Sequence, residues 1–121
     1  GVVQAVRGRG LEGQVFISGL DVEPANAQLI AEGVQTMSIW TDLDDHAAKA
    51  INAAIKLAKG EEPDADGTTS NNGPEVPTGF AQVVPIYQED LCRFIHEIAP
   101  EGWITEEEVF ATTEVPASCG A

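Results

Sequence analysis

The chain has 121 residues, 43% of them hydrophobic and 6% aromatic, with 20 Asp and Glu against six Lys and Arg and a formal charge of −14. That length suits one compact domain, or a piece of one, and the Ala, Val, Ile and Leu content argues against disorder. The charge repels phosphate backbones and anionic lipid, so neither nucleic acid nor membrane insertion is expected, and no apolar run reaches the eighteen or so residues of a spanning helix. The acidic residues are dispersed, as on a solvated surface.

Gly1 opens directly inside the pattern Val2, Val3, Ala5, Val6, which predicts a short helix over residues 1–7 and an upstream start for the full protein. Gly8, Gly10 and Gly13 punctuate the way to "QVFIS" (14–18), a continuously apolar run of the kind buried on both faces of a parallel sheet. In "EPANAQLIAEG", Pro24 stands in a helix's first turn, where its missing N–H costs nothing, and Gly33 follows the helix's end. "QTMSIW" (35–40) predicts the second strand. The longest helix is expected over 41–60, with Ala47, Ile51, Ala54, Ile55 and Ala58 on one stripe. Its Asp42, Asp44 and Asp45 lie at the positive end of the helix dipole, and Lys56 and Lys59 at the negative end.

Strand, helix, strand, helix at this spacing predicts an α/β fold with a mainly parallel sheet flanked by helices. From residue 61 the chain turns rich in Pro and Gly and poor in large apolar residues, so an irregular connection is expected there. "FAQVVPI" (80–86) predicts a strand with Pro85 near its end, and Leu91, Phe94, Ile95 and Ile98 predict a helix over 88–98 stopped by Pro100 and Gly102. Thr105 and Glu108 have the spacing of a capping box for one more short helix. The tail from Thr112 is expected to be loose unless Cys119 pins it. Cys92 and Cys119 are the candidates for one disulfide; a buried Cys92 thiol is the other reading.

For function, the strand ends matter most. Ligands of open α/β sheets bind outside the carboxyl ends of the strands, and a carboxylate there can accept hydrogen bonds from two neighbouring sugar hydroxyls. Asp21, after "FISGL", is such a carboxylate; the competing reading makes it the cap of the helix at Pro24. Trp40 and Thr41 end the next strand, where an aromatic ring could face a pyranose, although a Trp is also an ordinary core residue. The acids and His46 of "DLDDH" (42–46) are better explained by the helix dipole than by a metal, and "DADG" (64–67) lacks the remainder of a calcium loop. His96 has no evident nucleophile or acid partner, and GxSxG, P-loop and GxGxxG patterns are absent. No metal, cofactor or catalytic constellation is expected, and an α/β hydrolase or isomerase finds no support.

The stretch "GLEGQVFISGLDVEPANAQLIAEGVQTMSIWTDLDDHAAKAINAAIKLAKG", followed by "SNNGPEVPTGFAQVVPI", resembles the C-terminal lobe of xylose-type periplasmic sugar-binding proteins of ABC transporters. The likeness covers residues 1 to about 90 and rests on Gly19 to Asp21, on Gly33 with "QTMSIW", and on Asn71 to Pro77 in that order. Such proteins have two α/β lobes joined by a hinge and close on a monosaccharide. The resemblance implies a partial lobe: βα units over 1–60, an interdomain or hinge connection over 61–81, and the final strand, helices and tail over 82–121. It implies a sugar contact from Asp21 and one at the Thr41 position, beside the sugar-facing Trp40 read from its strand-end place; Thr41 stands where the family often carries a lysine and ribose-type relatives a glutamine, a departure that bears on which sugar fits. It implies a permease and an upstream N-terminal lobe as partners, a signal peptide in the precursor, and a periplasmic or extracellular location compatible with a lipid anchor. The alternative with the same fold is the effector-binding domain of a sugar-responsive transcription regulator.

Overall fold

A computed structural model describes residues 1–120. The chain forms two compact units: Gly1–Trp40 together with the stretch from Pro85 onward, and Thr41–Val84.

The first unit opens with α1 (Val2–Arg7), as expected. β1 is Ser18–Leu20 rather than 14–18, and it pairs in parallel with β2 (Met37–Thr41) in the register Ser18↔Met37, Gly19↔Ser38, Leu20↔Ile39. The ladder begins only where a partner is present: Thr36 Oγ1 accepts from Ile17 N at 3.1 Å, and Thr36 N donates to Ile17 O at 2.9 Å. Upstream of that point Phe16 is 67% exposed, so the run is not buried on both faces. An apolar run signals a strand without fixing where its partner starts. The sheet order is β1, β2, β5, where β5 is Val83–Ile86, so β1 lies at an edge and β2 in the middle. β2 accordingly buries Met37, Ser38 and Trp40.

Between them runs α2 (Pro24–Ala31), with proline in its first turn. Ala27, Ile30 and Ala31 are buried on one face, the spacing expected of a helix packed on one side. Gly33 (φ +73°) closes it: Gly33 N donates to Ile30 O at 3.0 Å and Val34 N to Leu29 O at 2.9 Å, so the last carbonyls are satisfied.

The run 88–98 is helical but changes pitch. A 3₁₀ turn (Gln88–Asp90) leads into α4 (Leu91–Arg93) and then a π-helical turn (Phe94–Ile98). Ala99 is extended (ψ 144°), as a residue before proline must be, and the helix stops there. α5 (Glu106–Val109) carries the expected capping box, with Glu108 N donating to Thr105 Oγ1 at 3.2 Å and Thr105 N to Glu108 Oε2 at 2.9 Å. α2 and α5 pack together, and Gln28 Nε2 donates to Glu108 O at 2.7 Å. A disulfide joins Cys92 to Cys119 and holds a second 3₁₀ turn, Ala117–Gly120, against α4. The core includes Ile30, Trp40, Ile86, Leu91, Phe94 and Val109. The Trp40 ring meets Phe94 and Trp103 edge-on, each with centroids 5.2 Å apart.

The second unit is built on α3 (Leu43–Ala58). Asp42 Oδ1 caps it by accepting from Asp44 N at 3.1 Å and Asp45 N at 3.0 Å. The expected apolar stripe exists, but nothing in this unit covers it: Ile51 is 60% and Ile55 47% exposed. The region expected to be irregular contains a hairpin, β3 (Gly67–Thr69) antiparallel to β4 (Val76–Thr78). Thr68, Thr69, Val76 and Thr78 supply β-branched residues, and Asn72 takes the left-handed turn conformation (φ +56°). Pro77 is tolerated because its strand has a single partner.

Candidate functional site

β1 delivers Asp21 to the carboxyl edge of the parallel pair. Asp21 N donates to Ile39 O at 2.7 Å, continuing the ladder one residue past the strand. The backbone then turns sharply: Asp21 has φ +73° and Val22 φ +45°. Aspartate tolerates this left-handed region, whereas a β-branched residue there is an outlier, and Val22 is fully buried. The capping reading for Asp21 does not hold, because Glu23 occupies the cap position of α2 and makes no side-chain cap bond. Among the described residues the Asp21 carboxylate has no hydrogen bond or ion pair, and it is exposed.

Beneath the turn lies a polar cluster that sequence reading missed. Gln35 and Ser38 are both buried. Gln35 Nε2 donates to Met37 O at 3.0 Å, Asn26 Nδ2 donates to Gln35 Oε1 at 3.1 Å, and Ser38 Oγ accepts from Val22 N at 3.4 Å. Gly19 leaves room for this cluster: a Cβ there would lie 2.5 Å from Gln35 Nε2 and 3.2 Å from Ser38 Oγ, so the Gln35 amide would have to shift. The available signal was a serine in the middle of the otherwise apolar "MSIW".

The other expected site residues fare differently. Trp40 is 2% exposed, so its ring belongs to the core and offers no face to a ligand, a correction to its expected stacking role. An aromatic residue that does bond to the Asp21 turn is the half-buried Trp103, whose Nε1 donates to Val22 O at 3.4 Å. With Glu23, Pro24 and Ala25 it lines a shallow cleft of about 440 Å³. Thr41 is half-buried and ends β2. His96, in the π-helical turn, lies with Nε2 2.6 Å from Glu106 Oε1.

Several charged groups elsewhere are engaged structurally. The Thr112 hydroxyl, at 2.8 Å, and then Arg7 hold the Glu32 carboxyl below its ordinary range. Asp45 is likewise lowered, first by the hydrogen bond from Gln82 N at 3.0 Å and then by Lys49. In the second unit a recess of about 410 Å³ is lined partly by Lys49, Asp64 and Asp66. Lys49 faces Asp66 there at 3.8 Å, and Asp64 is paired by Lys56 at 2.5 Å. Among the described residues no group of three or more His, Cys, Asp or Glu is placed to hold a metal, and no helix is long and apolar enough to cross a membrane.

A parallel strand pair joined by a helix crossover places the end of β1, and Asp21 with it, at the edge where open α/β sheets take up ligands. The chain belongs to the periplasmic binding protein domain family, whose model matches residues 1–62. It is similar to the D-xylose-binding periplasmic protein of Escherichia coli K12, at 34% identity over 75% of this chain and 28% of that protein. To the D-xylose-binding periplasmic protein of Haemophilus influenzae it is 31% identical over 91% of this chain and 32% of that one. The chain thus spans roughly a third or less of these relatives' length. Among solved structures it superposes on a carbohydrate transporter solute-binding protein from Chloroflexus aurantiacus in complex with D-glucose, with a TM-score of 0.63 and 28% identity over 77% of this chain and 26% of that one. An ABC transporter solute-binding protein from Clostridium phytofermentans with bound β-D-glucose gives a TM-score of 0.61 and 25% identity over 78% of this chain and 29% of that one. The relatives named here are binding proteins.

Proposed function

We propose that this chain is part of the C-terminal lobe of the sugar-binding component of an ABC importer, and that it acts by binding rather than catalysis. Its ligand is a monosaccharide of the xylose or glucose type, and its partners are the upstream lobe of the same protein and the importer's permease. Residues 61–81 serve as a connection between lobes, and closure on the ligand signals occupancy to the permease. The observation that carries the reading is Asp21, an exposed carboxylate at the end of a parallel strand whose oxygens are engaged by no other group among the described residues. Two charge-assisted hydrogen bonds from adjacent sugar hydroxyls would replace its water. Thr41, at the end of β2, is proposed separately as a sugar contact that tunes which sugar fits.

The same fold also serves as an effector-binding domain of sugar-responsive regulators in the cytoplasm. The Cys92–Cys119 disulfide favours the exported protein instead, since structural disulfides persist in oxidising compartments. Periplasmic or extracellular placement follows from this reading.

The test is titration calorimetry of the full-length protein with D-xylose and D-glucose. Losing two charge-assisted hydrogen bonds at about 1.5 kcal/mol each predicts a roughly 100-fold weaker affinity for Asp21→Ala. Its melting temperature should stay close to that of the parent. Unaltered affinity for both sugars would overturn the assignment.

A further inference from the structure

The turn that carries Asp21 is held in a conformation its sequence disfavours, and the residues holding it are distant in the chain. Two successive non-glycine residues, Asp21 and Val22, are left-handed, and the second is β-branched. A free chain would leave that conformation, so the surrounding structure must over-determine it. Three contacts do so. Asp21 N is fixed to Ile39 O at 2.7 Å. Val22 N points to Ser38 Oγ at 3.4 Å, within a fully buried pair. Val22 O receives the Trp103 indole N–H, also at 3.4 Å. Both polar groups of the strained Val22 peptide are thus engaged, by a strand residue on one side and a residue some eighty positions downstream on the other.

We infer that Ser38 and Trp103 are positioning residues for sugar recognition: they lock the left-handed Asp21–Val22 turn so that the Asp21 carboxylate stands pre-aimed at the ligand. This rests on the proposed role of Asp21 and deepens it. The physical gain is preorganisation. A carboxylate already held in its binding geometry loses little freedom when a sugar arrives, whereas one on a relaxed turn must be ordered by the ligand itself. It also gives Trp103 a role that Trp40 cannot fill: a half-buried ring anchored edge-on to the core, whose N–H reaches back to the site's backbone.

The experiment is a pair of double-mutant cycles in the full-length protein, with D-xylose and D-glucose as probes and affinity read by calorimetry. Trp103→Phe keeps an aromatic ring and removes the N–H donor; Ser38→Ala removes the hydroxyl; each is made alone and together with Asp21→Asn. The lock predicts that each single change weakens binding about three- to tenfold, and less than about twofold when Asp21→Asn is already present, because coupled residues are non-additive. A purely structural role would lower the melting temperature while leaving affinity unchanged, or would weaken binding equally in both backgrounds, and either result overturns the inference. Should Ser38→Ala fail to fold, the Trp103→Phe cycle alone decides, since that residue is only half-buried. Asp21→Asn on its own tests the underlying reading: if it leaves both affinities intact, the assignment of Asp21 fails first and the lock falls with it. If it weakens binding but the cycles are additive, only the lock is wrong.

Discussion

α2 and α3 are written with the same local grammar and end in different physical circumstances. Both finish on a left-handed glycine: Gly60 N donates to Leu57 O at 3.0 Å and Glu61 N to Lys56 O at 2.9 Å, the same closing pattern as at Gly33. α2, only eight residues long, buries Ala27, Ile30 and Ala31; α3, twice that length, buries none. Every buried hydrophobic residue described lies in the first unit, while Thr41–Val84 contains no buried residue. The second unit is instead held by the Asp42 cap, the hairpin and ion pairs such as Lys49–Asp45 at 3.1 Å. The lesson is that punctuation and dipole charges suffice to define a helix, but most helical stability comes from packing an apolar face.

The sharpest way to break that comparison is to cut one side chain from each unit. Phe94→Ala removes a fully buried ring and should cost about 3–5 kcal/mol in denaturant unfolding, whereas Ile51→Ala on the exposed stripe should stay within about 0.5 kcal/mol. An Ile51→Ala cost above about 1 kcal/mol would show that the stripe is covered in the protein tested. Next in size, replacing Cys92 and Cys119 together by serine should cost about 2–4 kcal/mol, read as a lower melting temperature. No change on that replacement would mean that the tail contributes nothing to the first unit. Asp42→Ala should cost about 1 kcal/mol, with faster amide exchange confined to the first turn of α3. The smallest effect is pH-dependent. The Asp45 carboxyl lies below its ordinary range, so it binds a proton more readily in the unfolded chain than in the folded one, and its stabilisation is complete above about pH 4. As the pH falls through the lowered value that contribution disappears, so the stability difference between the protein and Asp45→Asn should shrink on acidification. A constant difference would break the link to Asp45.

Much of the fold was legible because local rules wrote it. Pro24 and Gly33 bracket α2, the acids at 42–45 start α3, and Thr105 with Glu108 caps α5; each depends on neighbours a few residues away. The misreadings share one cause. "QVFIS" promised a strand, but its ladder starts at Ile17 because only there does Thr36 offer a partner. The stretch after residue 61 read as irregular because its prolines and glycines hid a threonine-rich hairpin. Trp40 could have been platform or core, and Phe94 and Trp103, both far along the chain, settled it as core.

The sequence by itself determined the α/β class, the helix boundaries and the strand-end position of Asp21, since periodicity, capping and turn chemistry act over a few residues. Only the tertiary structure decided that Asp21 is free of the cap and sits on a strained left-handed turn. The contacts that hold that turn come from Ile39, Ser38 and Trp103, and long-range contacts leave no local pattern in the residues they constrain.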